Sequence, residues 1–234
     1  MPKSLRQLGQ QTGIPLPEWI ACSKPRKQNI VGQYCHLEPI SSARHGADLW
    51  QAFSADTDHR IWTYLPYGPF SHQNQLENWI NINCMGDDPL FYTIVDLATG
   101  KALGVASYLR IQAEVGVIEA GHINFSPALQ QTTAATEAMY LMMKNAFDLG
   151  YRRYEWKCDN LNLGSKEAAK RLGFSYDGLF KQATIYKNRN RDTAWFSIID
   201  TDWPAIQIEY QRWLSADNFA TSGKQLSALT TSNR

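Results

Sequence analysis

A chain of 234 residues, 44% of them apolar and 19% charged, suits one domain with extensions and can bury a sizeable core. Its formal net charge of +1 gives no global electrostatic case for nucleic acid or an anionic membrane. No transmembrane-length apolar run occurs and Met1 to Arg6 lack the apolar core of an export signal, so a soluble cytoplasmic protein is expected.

Cys22, Cys35, Cys84 and Cys158 form no Cys-x-x-Cys pair and read as reduced thiols. His36, His45, His59, His72 and His122 show no metal-ligand spacing, and no metal is expected.

Residues 1–31 carry Pro15, Pro17, Pro25 and the basic stretch Lys24–Lys27 with little periodicity. They read as an extension that packs loosely or reaches a neighbour. Gln33–Glu38 alternates as a first strand, and Ala43–Phe53 has helical spacing with Ser41 or Ser42 as its cap. His59–Phe70 is turn-rich, with Trp62, Tyr64 and Tyr67 among Pro66, Gly68 and Pro69. Ser71 is placed to cap a second helix that ends at Ile82. Leu90–Asp96 and Ala102–Gln112 flank Ala98, Thr99 and Gly100, a hairpin signal. Val115–Phe125 is a further strand that contains Gly116 and Gly121, each an expected site for a bulge or a close backbone approach.

A polar turn from Ser126 then runs into the best helical pattern in the chain. Ala135, Ala138, Met142, Ala146 and Leu149 recur at spacings of three and four, Glu137, Lys144 and Asp148 are assigned to a wet face, and Gly150 stands at the left-handed cap. The first N–H groups of a helix lack internal partners and carry the positive end of its dipole, so an anion is held there without a lysine. Gln130, Gln131, Thr132, Thr133, Ala134 and Ala135 therefore read as a phosphate cradle for a nucleotide-like cofactor, or as the ordinary entry loop of an α/β helix. Tyr154–Cys158 follows as a strand, Asn160–Ser165 as a loop and helix start, and Lys166–Leu172 as a helix with Ala168, Ala169 and Leu172 on one face. Gly173 caps it, Phe174 starts the next strand and Thr193–Ile199 closes the sheet. Beyond Pro204, Ile206–Leu214 is an amphipathic helix with Trp213, and the Ser- and Thr-rich end is expected to fray.

In this order the chain resembles the GNAT acetyltransferases, most of all the branch with the ribosomal-protein serine and alanine N-acetyltransferases. That branch carries a Gln-x-x-Gly-x-Gly/Ala turn followed by Ala-Thr-Glu-Ala, here Gln130–Ala135 and Ala135–Ala138. Asn-x-x-Ser and then Gly-Phe follow, here Asn162–Ser165 and Gly173-Phe174. Lys181–Ala183 and Arg191–Ser197 fit its end. The likeness covers about residues 32–200, between the extension over 1–31 and a C-terminal helix and tail over 201–234. Its force lies in the order of the motifs, each in its strand-helix setting. Thr133 departs from the branch's Gly. A β-branched residue does not take positive φ cheaply, so the turn is right-handed here or the pyrophosphate sits differently, with the Thr132 and Thr133 hydroxyls as alternative donors.

The resemblance implies an α/β (α+β) fold, a mixed central sheet of about six or seven strands splayed between the fourth and fifth and flanked by helices. It implies acetyl-CoA as co-substrate, with the pyrophosphate on Gln130 to Ala135 and the thioester carbonyl on amides from Ile123 to Phe125. It puts Asn162 on the pantetheine and Ser165 at the departing thiolate; both also read as caps of the following helix. The branch's carboxylate position holds Thr184 here, which leaves Glu119, then His122, as general base; a glutamate near a bulge also reads as the partner of a lysine or a backbone amide. Trp62, Tyr64 and Tyr67 fall where the family builds its acceptor wall, and also read as core between the two early helices. The acceptor is expected to be a primary amine on a small molecule or a protein N-terminus, with neither nucleic acid nor membrane as partner and a homodimer left open. The alternative is a non-catalytic acetyl-CoA-binding sensor or scaffold. A dinucleotide or P-loop reading is weak, because neither glycine fingerprint occurs.

Overall fold

Asp96 sets the central hairpin. Its carboxylate accepts the Thr99 N–H at 2.9 Å and the Thr99 hydroxyl at 2.8 Å, while Gly100 takes a positive φ of 66°, which joins β3 (Leu90–Asp96) to β4 (Lys101–Gln112). The computed structural model describes residues 9–231 and extends this hairpin into one 8-stranded sheet. The other strands are β1 (Ile30–Val31), β2 (Cys35–Pro39), β5 (Val117–Phe125), β6 (Arg153–Asp159), β7 (Ser175–Tyr186) and β8 (Arg189–Ile199), in the order β1-β2-β3-β4-β5-β6-β8-β7. Every neighbouring pair is antiparallel except β5 and β6. The sheet exceeds the expected strand count by the short β1. The last hairpin also reaches further than expected, turning at Lys187 and Asn188, both at positive φ. Most of β7 is exposed and lacks the alternation that would reveal a strand.

Two layers of helices cover the sheet. Alternation along β3 sends Phe91 and Val95 to one face, beneath α1 (Ser42–Ser54) and α2 (Gln73–Asn83), and Tyr92 and Ile94 to the other. There they meet α3 (Thr133–Asp148) and α5 (Trp203–Leu214). The helix α4 (Leu163–Arg171) packs between β6 and β7 through Ala169. Neither early cap forms as expected: Ser41 precedes α1 but its N–H donates to His45 Nδ1 at 3.2 Å, and His72, not Ser71, precedes α2. The Ser71 N–H instead donates to Gln75 Oε1 at 2.8 Å, a side chain reaching back to the helix entrance.

Glu137 corrects the expected wet face of α3. It is 3% exposed, and its carboxylate accepts the N–H groups of Gln33 (2.7 Å), Tyr34 (2.6 Å) and Cys35 (2.8 Å). It pins the β1–β2 turn to the helix, and Gly32 is needed because a Cβ there would lie 2.6 Å from Glu137 Oε2. On its other flank α3 stacks Tyr140 on Tyr210 of α5. Residues past α5, read from composition as frayed, fold back through Asn218, which accepts the Ser227 N–H at 2.9 Å and donates to Trp213 O at 2.8 Å. None of the helices among the described residues is long and apolar enough to cross a membrane.

Candidate active site

The site starts where two strands part. β5 and β6 pair in parallel from Val117 opposite Arg153 to Ala120 opposite Trp156, and no further. On its other edge β5 keeps β4, with Ser107 opposite Gly121 and Val105 opposite Asn124, so His122 and Ile123 together face Ala106. That extra residue is a bulge, and a bulge bends and twists its strand. The left-handed residue is His122, at φ 50°, and not the expected Gly121. Gly121 is required for space, since a Cβ there would stand 2.7 Å from Leu109 Cδ2. Gly121 to Phe125 thus turn an unpaired edge, with Ile123 and Phe125 on it, to a cleft of about 1210 Å³.

One side of the cleft is built by the turn into α3. Positive φ falls on Gln131 (61°), so Thr133 sits in ordinary helical backbone and replaces glycine without strain. The N–H of Gln130 reaches Ser126 O at 3.0 Å, that of Thr132 reaches Leu129 O at 3.3 Å, and that of Ala135 is capped by Thr132 Oγ1 at 3.1 Å. Among the described residues this leaves the N–H groups of Gln131, Thr133 and Ala134 without acceptors. The Thr132 hydroxyl is spent on Leu129 O at 2.7 Å and is not a spare donor. Gln130, Gln131 and Ala135 line the cleft, whereas Thr132, Thr133 and Ala134 lie outside its lining. Gln130 Nε2 holds Phe125 O at 2.9 Å. A cation missed in the sequence stands beside them: both terminal nitrogens of Arg171 donate to Thr136 Oγ1 at 3.2 Å, and its guanidinium lies 5.6 Å from the Trp213 ring centroid.

Asn162 and Ser165 close this side from α4. Asn162 is the N-cap, its Oδ1 accepting the Ser165 N–H at 3.0 Å. Ser165 Oγ accepts from Trp156 Nε1 at 3.0 Å, which leaves the hydroxyl proton to point elsewhere. Both residues line the cleft. So does Asn124, which is 2% exposed and has no partner for either end of its amide among the described residues.

Glu119 and a buried charge chain form the opposite side. Glu119 Oε2 lies 2.8 Å from Lys157 Nζ and 3.0 Å from Arg110 Nε, and Lys157 reaches Glu155 Oε2 at 2.7 Å. Burial pushes the Glu119 carboxyl above the usual carboxylate range, although Lys157 and Arg110 pull it back. Burial, then Arg110, pushes His122 down to about 4, and its ring is stacked 5.7 Å from Tyr67. His122 is therefore neutral near pH 7 and a weak base.

Of the expected acceptor wall only Tyr64 lines the cleft, and its hydroxyl donates to Leu161 O at 3.0 Å. Trp62 and Tyr67 do not line the cleft, and fit the alternative reading of core between the early helices. Trp62 is 4% exposed and packs its ring on Phe53, Phe70 and Tyr67. Gly68, at φ 67°, lets the backbone cross the Trp62 ring, where a Cβ would overlap it. The Tyr67 hydroxyl is buried and its ring lies 4.1 Å from that of Trp79, so Trp62 is core and Tyr67 packs against that core, partly buried. The wall carries Arg60, Ile61, Leu65 and Pro66 beside Tyr64.

Residues 36–175 match the family model described as Acetyltransferase (GNAT) domain. The chain belongs to the GNAT acetyltransferase family. A GCN5-related N-acetyltransferase from Brucella melitensis is 42% identical, with a TM-score of 0.89, covering 92% of this chain and 97% of that one. The curated "Uncharacterized N-acetyltransferase YnaD" of Bacillus subtilis (strain 168) is 23% identical over 156 residues, 66% of this chain and 89% of that protein. The ribosomal L7/L12 alpha-N-protein acetyltransferase RimL has 18% identity and a TM-score of 0.63, covering 80% of this chain and 98% of that one, a likeness of fold alone. In this GNAT N-acetyltransferase the strand separation, the α3 entrance and α4 converge on one cleft. The sequence signals missed were Arg171, which looks like a plain C-terminal cation on a short helix, and Asn124, an ordinary strand residue until its burial is seen.

Proposed function

We propose that this protein transfers the acetyl group of acetyl-CoA to a primary amine, on a small molecule or a protein N-terminus. The observation that carries this is the parting of β5 from β6 after Ala120 and Trp156, which puts Ser165 and the α3 entrance on one side of a single cleft and Glu119 on the other. The residues present suit the coenzyme. The free amides of Gln131, Thr133 and Ala134, beside Arg171, favour a pyrophosphate, and the unpartnered Asn124 amide suits a polar group in the cleft.

Acetyl-CoA supplies an activated thioester when bound. The chain supplies the rest. Amides on the open edge of Ile123 to Phe125 are fixed donors for oxygen charge as it develops, and fixed donors in a partly dry cleft need no reorganisation. Ser165, its oxygen held by Trp156, keeps a proton to give to sulfur. Glu119, once ionised, takes a proton from the incoming ammonium directly or through water.

Calorimetric titration with acetyl-CoA, followed by thiol release against a panel of amines, tests the reading. Binding with amine-dependent thiol release is expected. Binding without release from any amine favours a sensor or scaffold, and no binding overturns the reading.

A further inference from the structure

The Glu119 side of the cleft holds positive charge that is unpaired among the described residues. Along β8, Ala194, Phe196 and Ile198 bury into the core under α3 and α5, so alternation turns Arg191, Thr193 and Trp195 to the opposite face, that of Glu119, Lys157 and Tyr64. The sheet therefore stands between Arg191 and the α3 entrance, and the phosphates of a coenzyme on α3 do not account for Arg191.

The cations lining this side differ in what they hold. Lys157 is shared by Glu119 and Glu155, Arg110 pairs with Glu119, and Arg60 pairs with Asp58 at 2.9 Å. Arg191 has no such partner. Its Nε donates to Thr193 Oγ1 at 3.2 Å, its guanidinium lies 5.7 Å from the Tyr186 ring centroid, and among the described residues no carboxylate comes within 4.0 Å of it. Asp159, reached through Tyr186, spends one oxygen on the Leu161 N–H and the other on the Tyr186 hydroxyl, each at 2.8 Å. Lys181 also lines the cleft without an ion pair among the described residues, and Trp195 Nε1 is a buried donor with no acceptor. Glu119 is the one carboxylate among the described lining residues.

A half-buried guanidinium with its terminal nitrogens unspent is a receptor for oxyanions, since carboxylate and phosphate match its planar fork, and Lys181 adds a second positive charge to the same cleft. A polycationic amine would meet net repulsion there. Building on the acetyl-transfer reading, we propose that the acceptor is an extended primary amine that carries a carboxylate or phosphate far from its amine, with Arg191 seating the oxyanion. Arg191 lies six residues along β8 from Ser197, which is level with Glu155 and Glu119, or about 20 Å of strand.

Matched acceptors separate the two anion sources: tetra-alanine against tetra-alaninamide for carboxylate, and a serine-ended tetrapeptide amide with against without a phosphate on that serine for phosphate, with spermidine as the cationic control. At saturating acetyl-CoA, an anionic member is expected to exceed its neutral counterpart at least tenfold in kcat/KM. Arg191→Gln should abolish that preference while the KM for acetyl-CoA and the melting temperature hold. Inorganic phosphate titrated into the protein saturated with coenzyme A supplies a readout independent of turnover, and its affinity is expected to fall at least tenfold in Arg191→Gln. A preference for neutral or cationic amines, or phosphate affinity equal in the two proteins, overturns the proposal, and the phosphate titration alone decides if no panel amine is acetylated. Failure of acetyl-CoA to bind at all would instead strike the acetyl-transfer reading on which this one rests.

Discussion

Glu119 Oε2 lies 2.8 Å from Lys157 Nζ, and each side chain is only 4% exposed. Such a pair sets two effects against each other: burial disfavours both charges, while the lysine favours the ionised glutamate. For Glu119 burial wins, and its carboxyl is held above the usual carboxylate range. Above that raised value it is a carboxylate and accepts a proton; below it, it is spent. The kcat/KM profile should therefore rise with pH through a midpoint above the usual carboxylate range. Glu119→Gln should remove this limb and lower kcat/KM by about 10²–10⁴-fold, the usual contribution of a positioned base. Circular dichroism separates this from unfolding, and an unchanged profile in a folded mutant rules Glu119 out as base.

His122 gives the opposite expectation. Burial, aided by Arg110, pushes its imidazole down to about 4, so it stays neutral from pH 5 to 8. Its ring resonances, followed by NMR, should titrate only below pH 5, and His122→Gln should leave the Glu119 limb of the rate profile in place. A midpoint near neutrality would return His122 to candidacy as the base.

The helix entrance makes a third test. Thr133 occupies ordinary helical backbone and its N–H has no acceptor among the described residues. A glutamate there is tolerated by the helix, since acids favour the first turn, yet it opposes a bound phosphate. Thr133→Glu should raise the calorimetric Kd for coenzyme A at least tenfold, about 1.4 kcal/mol, with the melting temperature held or raised. Unchanged affinity removes the pyrophosphate from this end of α3.

Ser165 separates chemistry from capping. The cap of α4 is Asn162, through its bond to the Ser165 backbone N–H, and the Ser165 hydroxyl takes no part in it. Ser165→Ala should thus lower kcat more than it raises the KM for acetyl-CoA, as expected of a group that acts in the transition state. Asn162→Ala should instead cost stability, about 0.5–2 kcal/mol in chemical denaturation. Full turnover in Ser165→Ala would leave the thiolate to another proton donor.

What the sequence made legible followed from local rules. The Asp96–Gly100 turn, the α3 and α4 boundaries with Gly150 and Gly173 at positive φ, and the cap at Asn162 each depend on a few neighbouring residues. Long-range partners were not legible. Glu137 has helical spacing on a polar face, and nothing nearby reveals that three amides more than a hundred positions away bury it. The bulge fell on His122 beside the expected Gly121, because the register is set by Val105 and Ser107 on the neighbouring strand. Arg191 carries no local signal either, since its unpaired state depends on what the folded neighbours leave free.

The last prediction concerns the acceptor wall, where three aromatic residues close in sequence take different roles. Trp62 lies buried under α1 and α2, packed against Phe53 and Phe70, so truncating it should cost about 3–5 kcal/mol, and truncating the partly buried Tyr67, stacked near Trp79, should cost less. Both ligands would then weaken together as the fold fails. Tyr64 instead lines the cleft and bridges it, its hydroxyl donating 3.0 Å to Leu161 O on the loop before α4. A second tie lies alongside, from Lys187 Nζ at the β7–β8 turn to Trp62 O at 2.7 Å. Removing only the hydroxyl, in Tyr64→Phe, leaves the ring and cuts the bridge. The melting temperature should barely move, since a half-exposed hydrogen bond contributes about 0.5–1.5 kcal/mol at most. The acceptor KM should rise severalfold while the Kd for acetyl-CoA holds, because on the proposed reading the bridge belongs to the acceptor side and the coenzyme to the α3 side. Equal loss of both ligands in a folded Tyr64→Phe would mean that the bridge supports the whole cleft.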